Sequence, residues 1–123
     1  MTPKEIREII ATRLMGWHKE KWPILEPGDR HFMWVQSDGE RAEWVTEWRP
    51  CKRVLDAMKV LKVFVEKCGG EVWAEIRSPY MGALWICRIR RAALYTRSIS
   101  ASAPTFERAV CEAIARFLKE SEG

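Results

Sequence analysis

The stretch that decides the fold consists of three extended segments: EVWAEIR at 71–77, ALWICRIR at 83–90 and ALYTRSISA at 93–101. A turn-forming run at 78–82 separates the first two segments, and Arg91-Ala92 separates the second from the third. Extended segments joined by short turns pair as an antiparallel meander. Both alternating faces carry apolar residues, such as Trp73 on one and Ile76 on the other, so we expect helical cover on both sides of this sheet.

Three amphipathic helices are predicted around these strands. The first spans about Pro3 to Met15 and begins with a capping box, in which Thr2 is the N-cap and Glu5 reaches back to the free amide. The second begins at Pro50 and is stopped by Gly69-Gly70. The third spans about Pro104 to Lys119. The predicted apolar stripe of the second helix is Val54, Met58, Leu61, Val65 and Cys68.

A hairpin is predicted between the first two helices. Asp38-Gly39 lies between two extended runs, His31 to Gln36 and Arg41 to Glu47, and Asp-Gly is the strongest short hairpin signal because both positions tolerate positive φ. The element order is therefore α-ββ-α-βββ-α. The fold class is α+β, an antiparallel sheet between helical layers, or ABA sandwich. Residues 1–119 are expected to form one domain, followed by a frayed tail at 120–123.

Composition narrows the class of protein. The 123 residues are 47% hydrophobic and carry a net charge of +4, which favours anionic partners such as phosphates. The absence of a long apolar run or a signal sequence predicts a cytoplasmic protein with no membrane partner. Five of the seven tryptophans fall between Trp17 and Trp48, and tryptophan is favoured in pockets and in contacts between subunits.

Catalytic and metal-binding patterns are missing from the sequence. His18 and His31 lack the spacing of metal ligands, and neither a GxGxxG nor a Walker motif is present. The four cysteines form no CxxC pair and are expected to be reduced thiols: Cys51, Cys68, Cys87 and Cys111. We therefore predict no enzyme, no catalytic residue, no metal and no cofactor. The alternative is that one histidine acts as an acid or base with Asp29 or Asp38.

Two basic clusters are candidates for anion binding. One lies at the end of the second segment of the meander, and the other lies at the start of the second helix, where free amides and the helix dipole add to anion attraction. Guanidinium groups suit bidentate phosphate binding, and tryptophans suit base stacking. The predicted ligand-binding residues are Trp17, His18, Trp34, Trp44, Trp48, Arg49, Lys52, Arg53, Arg88 and Arg90. The alternative is that the arginines are solvated charges at strand ends and the tryptophans are core residues.

Several short motifs resemble the phage ABA-sandwich domain family. They are Leu14-Met15-Gly16-Trp17 after the first helix, the Trp-bearing hairpin and helix start from Trp34 to Asp56, and Ser102-Ala103-Pro104-Thr105 before the Ala-rich helix. One departure is Pro50-Cys51-Lys52-Arg53, where the family often has an acidic Pro-Ser-Thr-Asp cap. The resemblance implies a phage protein in the host cytoplasm without established enzyme chemistry. It also implies an anti-defence role, such as a sponge that traps cyclic-nucleotide signals.

The leading hypothesis is a non-enzymatic, homo-oligomeric protein that binds and sequesters a nucleotide-like anion. The alternative is a nucleic-acid-binding domain, because Pro50 to Lys119 has the α-β-β-β-α order of a double-stranded-RNA-binding domain. Against it, the last helix begins with Pro104-Thr105-Phe106-Glu107 instead of a lysine cluster. A third hypothesis is a protein–protein inhibitor that uses the Trp-rich loop as its hot spot.

Overall fold

A computed structural model of the chain describes residues 1–21, 32–45, 47–69, 71–79, 84–91 and 98–121. Its helices are α1 (Pro3–Ile9), which continues as a π-helical segment (Ile10–Leu14), α2 (Val54–Lys67) and α3 (Phe106–Ser121). Its strands are β1 (His18–Lys21), β2 (Phe32–Val35), β3 (Arg41–Trp44), β4 (Val72–Arg77), β5 (Trp85–Arg91) and β6 (Ile99–Ala103). The predicted α+β class is confirmed.

The described strands form two antiparallel sheets in place of one. The N-terminal sheet has the order β1-β2-β3 and the C-terminal sheet the order β4-β5-β6. The predicted hairpin is confirmed, since β2 pairs with β3 and Gly39 adopts a φ of 89° in the turn between them. Strand β1 was not predicted, because its four residues are polar, exposed and without apolar alternation. Its pairing with β2, which sets Lys19 opposite Trp34, holds it in the sheet.

Helix α3 organises the core. It packs on β5 and β6, and both α1 and α2 pack against it. Its buried side chains include Val110 and Ile114, and the ring of Phe117 meets that of Phe64 in α2 edge-on with centroids 5.2 Å apart. One continuous apolar cluster joins α3 to both sheets, reaching Trp34 in the N-terminal sheet. The chain therefore has a single core in the part that the structure describes.

The buried face of α2 differs from the predicted stripe. Ala57, Val60 and Phe64 are fully buried and face the core. The exposed large apolar residues of α2 are Val54, Leu55, Met58 and Val65. Apolar residues occupy two sides of this helix, so periodicity alone did not identify the buried one. The contact of Phe64 with α3 selects the buried side. The predicted stripe is therefore wrong at Val54, Met58 and Val65, which are exposed, whereas Leu61 and Cys68 are partly buried against the core.

The C-terminal sheet has two unlike faces. The face toward α3 is apolar and includes the buried side chains of Cys87, Ile89, Ala101 and Ala103. We call the opposite side the outer face; its residues are Trp73, Glu75, Arg77, Ile86, Arg88, Arg90, Ser100 and Ser102. Most of these side chains are exposed, with Ile86 and Arg88 half-buried. The helical cover expected on both sides of the strands is therefore found on one side within the described residues.

Candidate anion-binding site

A cavity of about 690 Å³ lies where α1, the N-terminal sheet and the segment before α2 meet. This volume is within the range of roughly 300–1,000 Å³ typical of small-molecule sites. The lining residues are Thr2, Pro3, Lys4, Arg7, Lys19, Phe32, Val45, Arg49, Pro50, Cys51 and Lys52. Among these described residues five are cationic and none is acidic. The concentration of one charge sign in a concave site attracts anions.

The Arg7 side chain is held at the cavity wall by a hydrogen bond to the main chain. Its Nη1 donates to the main-chain oxygen of Val45 at 3.1 Å. Its Nε is buried and has no hydrogen-bond partner in the described part of the chain. A buried donor without a partner costs on the order of 1–3 kcal/mol, and more on a charged group. Arg7 therefore lines the cavity with one donor that is bonded to Val45 and one that has no partner among the described residues.

Lys19 is held at the cavity wall by two contacts. Its Nζ forms an ion pair with Glu8 Oε1 at 3.0 Å and lies 5.4 Å from the centroid of the Trp34 ring. The ion pair is partly exposed, with 34% and 41% of the two side chains accessible. Exposed ion pairs contribute about 0–1 kcal/mol. An incoming anion can therefore compete with Glu8 for this ammonium group.

The segment that carries Arg49 and Lys52 is anchored through its main chain. The amide of Arg49 donates to Asp56 Oδ2 in α2 at 3.0 Å, and the amide of Lys52 donates to the oxygen of Arg49 at 3.0 Å. The oxygen of Pro50, a fully buried residue, accepts from Cys111 Sγ in α3 at 3.2 Å. These bonds fix the backbone, so both basic side chains start from a defined position at the cavity.

Cys51 contributes a thiol to the cavity wall and is 8% exposed. A hydrogen bond with Cys111 lowers the pKa of Cys51, the charges of Arg108 and Arg7 lower it further, and burial and the charge of Glu112 oppose them. The same bond, together with burial, raises the pKa of Cys111 well above its ordinary value. Cys51 is therefore the member of this pair that ionises first. Both are free thiols, as predicted, and so is Cys87.

Of the ten predicted site residues, Arg49 and Lys52 line the cavity. Trp34 and Trp48 are 1% and 3% exposed and belong to the core. Trp17 is half-buried and packs edge-on against Trp48, with ring centroids 5.0 Å apart. These three tryptophans form a chain of edge-on rings, since Trp34 in turn lies 6.4 Å from Trp48. None of them is among the lining residues.

The other predicted residues are spread over the surface. Trp44 is half-buried on β3, opposite Met33. His18 is exposed, and its Nε2 lies 2.8 Å from Glu20 Oε1. Arg53 is exposed at the N-cap of α2 without a side-chain capping bond. Arg88 and Arg90 lie on the outer face of the C-terminal sheet. His31 and Asp29 lie outside the described residues.

The sequence did not identify four residues that line the cavity and supply its charge or an aromatic ring: Lys4, Arg7, Lys19 and Phe32. Lys4 and Arg7 are three residues apart in α1 and so share one side of it. No local pattern connects them to residues 49–52, because the contact depends on how α1 packs. In the described ranges no group of three or more His, Cys, Asp and Glu residues is arranged to hold a metal ion. No helix there is long and apolar enough to cross a membrane.

No family model, curated protein or solved structure matches the chain. The resemblance to the phage ABA-sandwich domain family stays a prediction.

Proposed function

We propose that the protein binds a phosphate-bearing small molecule of nucleotide size in this cavity and releases it unchanged. The observation that carries the proposal is the ring of five cationic side chains around a cavity of about 690 Å³ with no acidic residue among the described lining residues. Several positive charges in one concave site suit a ligand with more than one negative charge. A nucleotide or a small polyphosphate fits that description.

A ligand with several negative charges is favoured over a single carboxylate by the number of cationic groups that line the cavity. Arg7 offers a guanidinium whose Nε has no partner in the described chain, and arginine forks bind phosphate oxygens in pairs. Lys4 and Lys52 add exposed ammonium groups, and ammonium acts as a point charge toward phosphate. Phe32, which is half-buried at the wall, offers a ring face on which a base can stack.

The lining residues favour binding of the ligand without its chemical conversion. Thr2 Oγ1 accepts from the amide of Glu5, and the Cys51 thiol is hydrogen-bonded to the free thiol of Cys111. A catalytic nucleophile needs an adjacent general base or a metal, and neither hydroxyl nor thiol is paired with a histidine or carboxylate in these contacts. The family resemblance would make the ligand a cyclic-nucleotide signal that the protein sequesters from host defence.

A homo-oligomer remains part of the proposal. The exposed apolar residues of α2, Val54, Leu55 and Met58, are suited to a subunit contact, because the centres of such contacts are richer in apolar area than the rest of the surface. Native mass spectrometry of the protein with and without ligand would count the subunits. It would also show whether the bound ligand keeps its mass.

The test is a thermal-shift and calorimetric screen of the protein with pyrophosphate, ATP, cyclic AMP and cyclic di-GMP. A ligand at about 100 times its Kd adds about 2.7 kcal/mol of stability, which raises Tm by roughly 10 °C in a chain of this size. Lys52→Ala should weaken binding about five- to tenfold. Lys59→Ala removes the same charge from an exposed position on α2 outside the cavity and should leave affinity unchanged. Equal affinities of the two variants, or no shift with any phosphate ligand, would contradict the proposal.

A further inference from the structure

The outer face of the C-terminal sheet brings an aromatic ring, basic groups and hydroxyls into one surface. Across the strands, Trp73 is paired with Arg90, and Glu75 with Arg88. Arg88 is in turn paired with Ser100 on β6. Side chains directly opposite each other on one sheet face have Cβ atoms about 4.5–5.5 Å apart. These residues therefore form a continuous surface, and none of them lines the cavity.

The charge of this face is positive. Among the described residues of this face, Arg77, Arg88 and Arg90 lie with a single carboxylate, that of Glu75. Arg77 Nε donates to Glu75 Oε1 at 3.0 Å, with 64% and 49% of the two side chains accessible. The pKa of Glu75 is lowered, chiefly by this hydrogen bond and also by the charges of Arg88 and Arg90. All three guanidinium groups are therefore close enough to lower the pKa of the Glu75 carboxylate.

Trp73 is a large aromatic side chain exposed on the outer face. It is 69% exposed on β4, an outer strand of its sheet, while α3 covers the opposite side. An exposed indole beside an arginine provides a ring face for stacking and a cation for a nearby phosphate. Arg88 and Arg90 are two residues apart on β5, so they project from the same face about 7 Å apart along the strand.

We propose that the outer face binds single-stranded nucleic acid, with Trp73 stacking on an unpaired base and Arg77, Arg88 and Arg90 contacting phosphates. Sheet-based modules bind single strands in this way, by stacking bases on aromatic side chains of an open sheet face and holding the backbone with basic groups. A duplex would satisfy the arginines but offers no unpaired base to Trp73. The inference concerns a surface separate from the cavity and goes beyond the proposed function.

The experiment is fluorescence anisotropy with 5′-labelled dT15, rU15 and a blunt 15-base-pair duplex, starting at 50 mM salt. We expect both single strands to bind more tightly than the duplex. The logarithm of the binding constant should fall with the logarithm of salt concentration at a slope of about −0.7 per phosphate contacted, or roughly −2 for three arginines. Tighter binding of rU15 than of dT15 would indicate contacts of Ser100 and Ser102 with the 2′-hydroxyl, and similar affinities would indicate base and phosphate contacts alone.

Four variants at three positions separate stacking from charge. Trp73→Ala should lower single-strand affinity about tenfold at an unchanged salt slope, while Trp73→Phe keeps most of the affinity. Arg90→Ala should make the slope shallower by about 0.7. Glu75→Gln should tighten binding severalfold, because the arginines lose their competing carboxylate. All three positions are exposed, and circular dichroism would verify that each variant is folded.

The cavity variant provides the matched control. Lys52→Ala, which weakens the cavity ligand, should leave binding of dT15 unchanged. Absence of binding at 50 mM salt would overturn the inference. Duplex affinity equal to that of the single strands would overturn it as well, and so would Trp73→Ala binding as tightly as the wild type. Loss of dT15 binding in Lys52→Ala but not in Trp73→Ala would assign the oligonucleotide to the cavity instead.

Discussion

Arg7 in α1 donates a hydrogen bond to the main-chain oxygen of Val45, 38 residues further along the chain, at 3.1 Å. Val45 directly follows β3, so the bond joins the first helix to the end of the N-terminal sheet. The same guanidinium lines the cavity and keeps a buried Nε without a partner in the described residues. One side chain therefore both joins α1 to the end of the N-terminal sheet and lines the cavity.

The first prediction concerns the planar shape of the Arg7 guanidinium group as distinct from its charge. Arg7→Lys keeps the positive charge and loses the planar fork, so we expect affinity for pyrophosphate to fall about tenfold. Unfolding free energy should fall by about 1–3 kcal/mol, since the bond to Val45 is lost or weakened. Titration calorimetry and urea denaturation measure the two effects. Arg53→Lys, at an exposed position that does not line the cavity, should change neither quantity.

The second prediction concerns the Cys51 thiol. Its pKa is lowered by the bond with Cys111 and it lines the cavity, whereas Cys87 and Cys111 are fully buried and have raised pKa values. Iodoacetamide at pH 7.5 should therefore modify Cys51 before either of the other two, as peptide mass mapping would show. Saturating phosphate ligand should slow the modification of Cys51 in the wild type and have less effect in Lys52→Ala. An unchanged rate with bound ligand would mean that the ligand lies elsewhere.

The third prediction concerns alkaline pH. Burial raises the pKa of the Cys87 thiol from 9.0 to about 11. The folded state holds this proton more tightly than the unfolded chain, so its contribution to stability is fully present below pH 9 and is lost as the pH rises toward 11. The difference of about two pH units corresponds to at most about 3 kcal/mol. Urea denaturation at pH 8, 9.5 and 10.5 should show this decline. A variant Cys87→Ala with an equally steep decline would refute the assignment to Cys87.

The fourth prediction contrasts two tryptophans with opposite environments. Trp48 is 3% exposed and packs between Trp17 and Trp34, so Trp48→Ala should destabilise the fold by about 3–5 kcal/mol. Trp73 is 69% exposed, and Trp73→Ala should change the unfolding free energy by about 0.5 kcal/mol or less. Midpoints of urea denaturation would measure both. Comparable losses in the two variants would show that Trp73 has a structural role.

Local chemistry explains which parts of the fold were predictable. Thr2 caps α1 by accepting from the amide of Glu5 at 3.2 Å, as the motif predicts, because a cap and its partner are three residues apart. The turn at Asp38-Gly39 is equally local: Asp38 Oδ1 accepts from the amide of Glu40, and Gly39 supplies the positive φ. In both cases the atoms that decide the conformation lie within one turn of chain.

The features that escaped prediction depend on partners distant in sequence. Strand β1 exists through its pairing with β2, since its own residues carry no apolar pattern. The buried side of α2 is selected by the packing of Phe64 on Phe117, 53 positions later. The cavity joins Arg7 to residues 49–52 across a similar separation. Residue type predicts an anion site near Arg49 and Lys52. The packing of α1 decides that Arg7 lines the same cavity.

The continuous core links ligand binding to the resistance of the whole chain to proteases. Trp34 and Val45, beside the cavity, belong to the same apolar cluster as Cys87 and Ile89 in the C-terminal sheet, so the two halves are expected to unfold together. A ligand that binds only the folded chain then reduces the population open to proteases over its whole length. If the cavity binds the proposed phosphate ligand, the abundance of the protein in a cell would rise and fall with the concentration of that ligand.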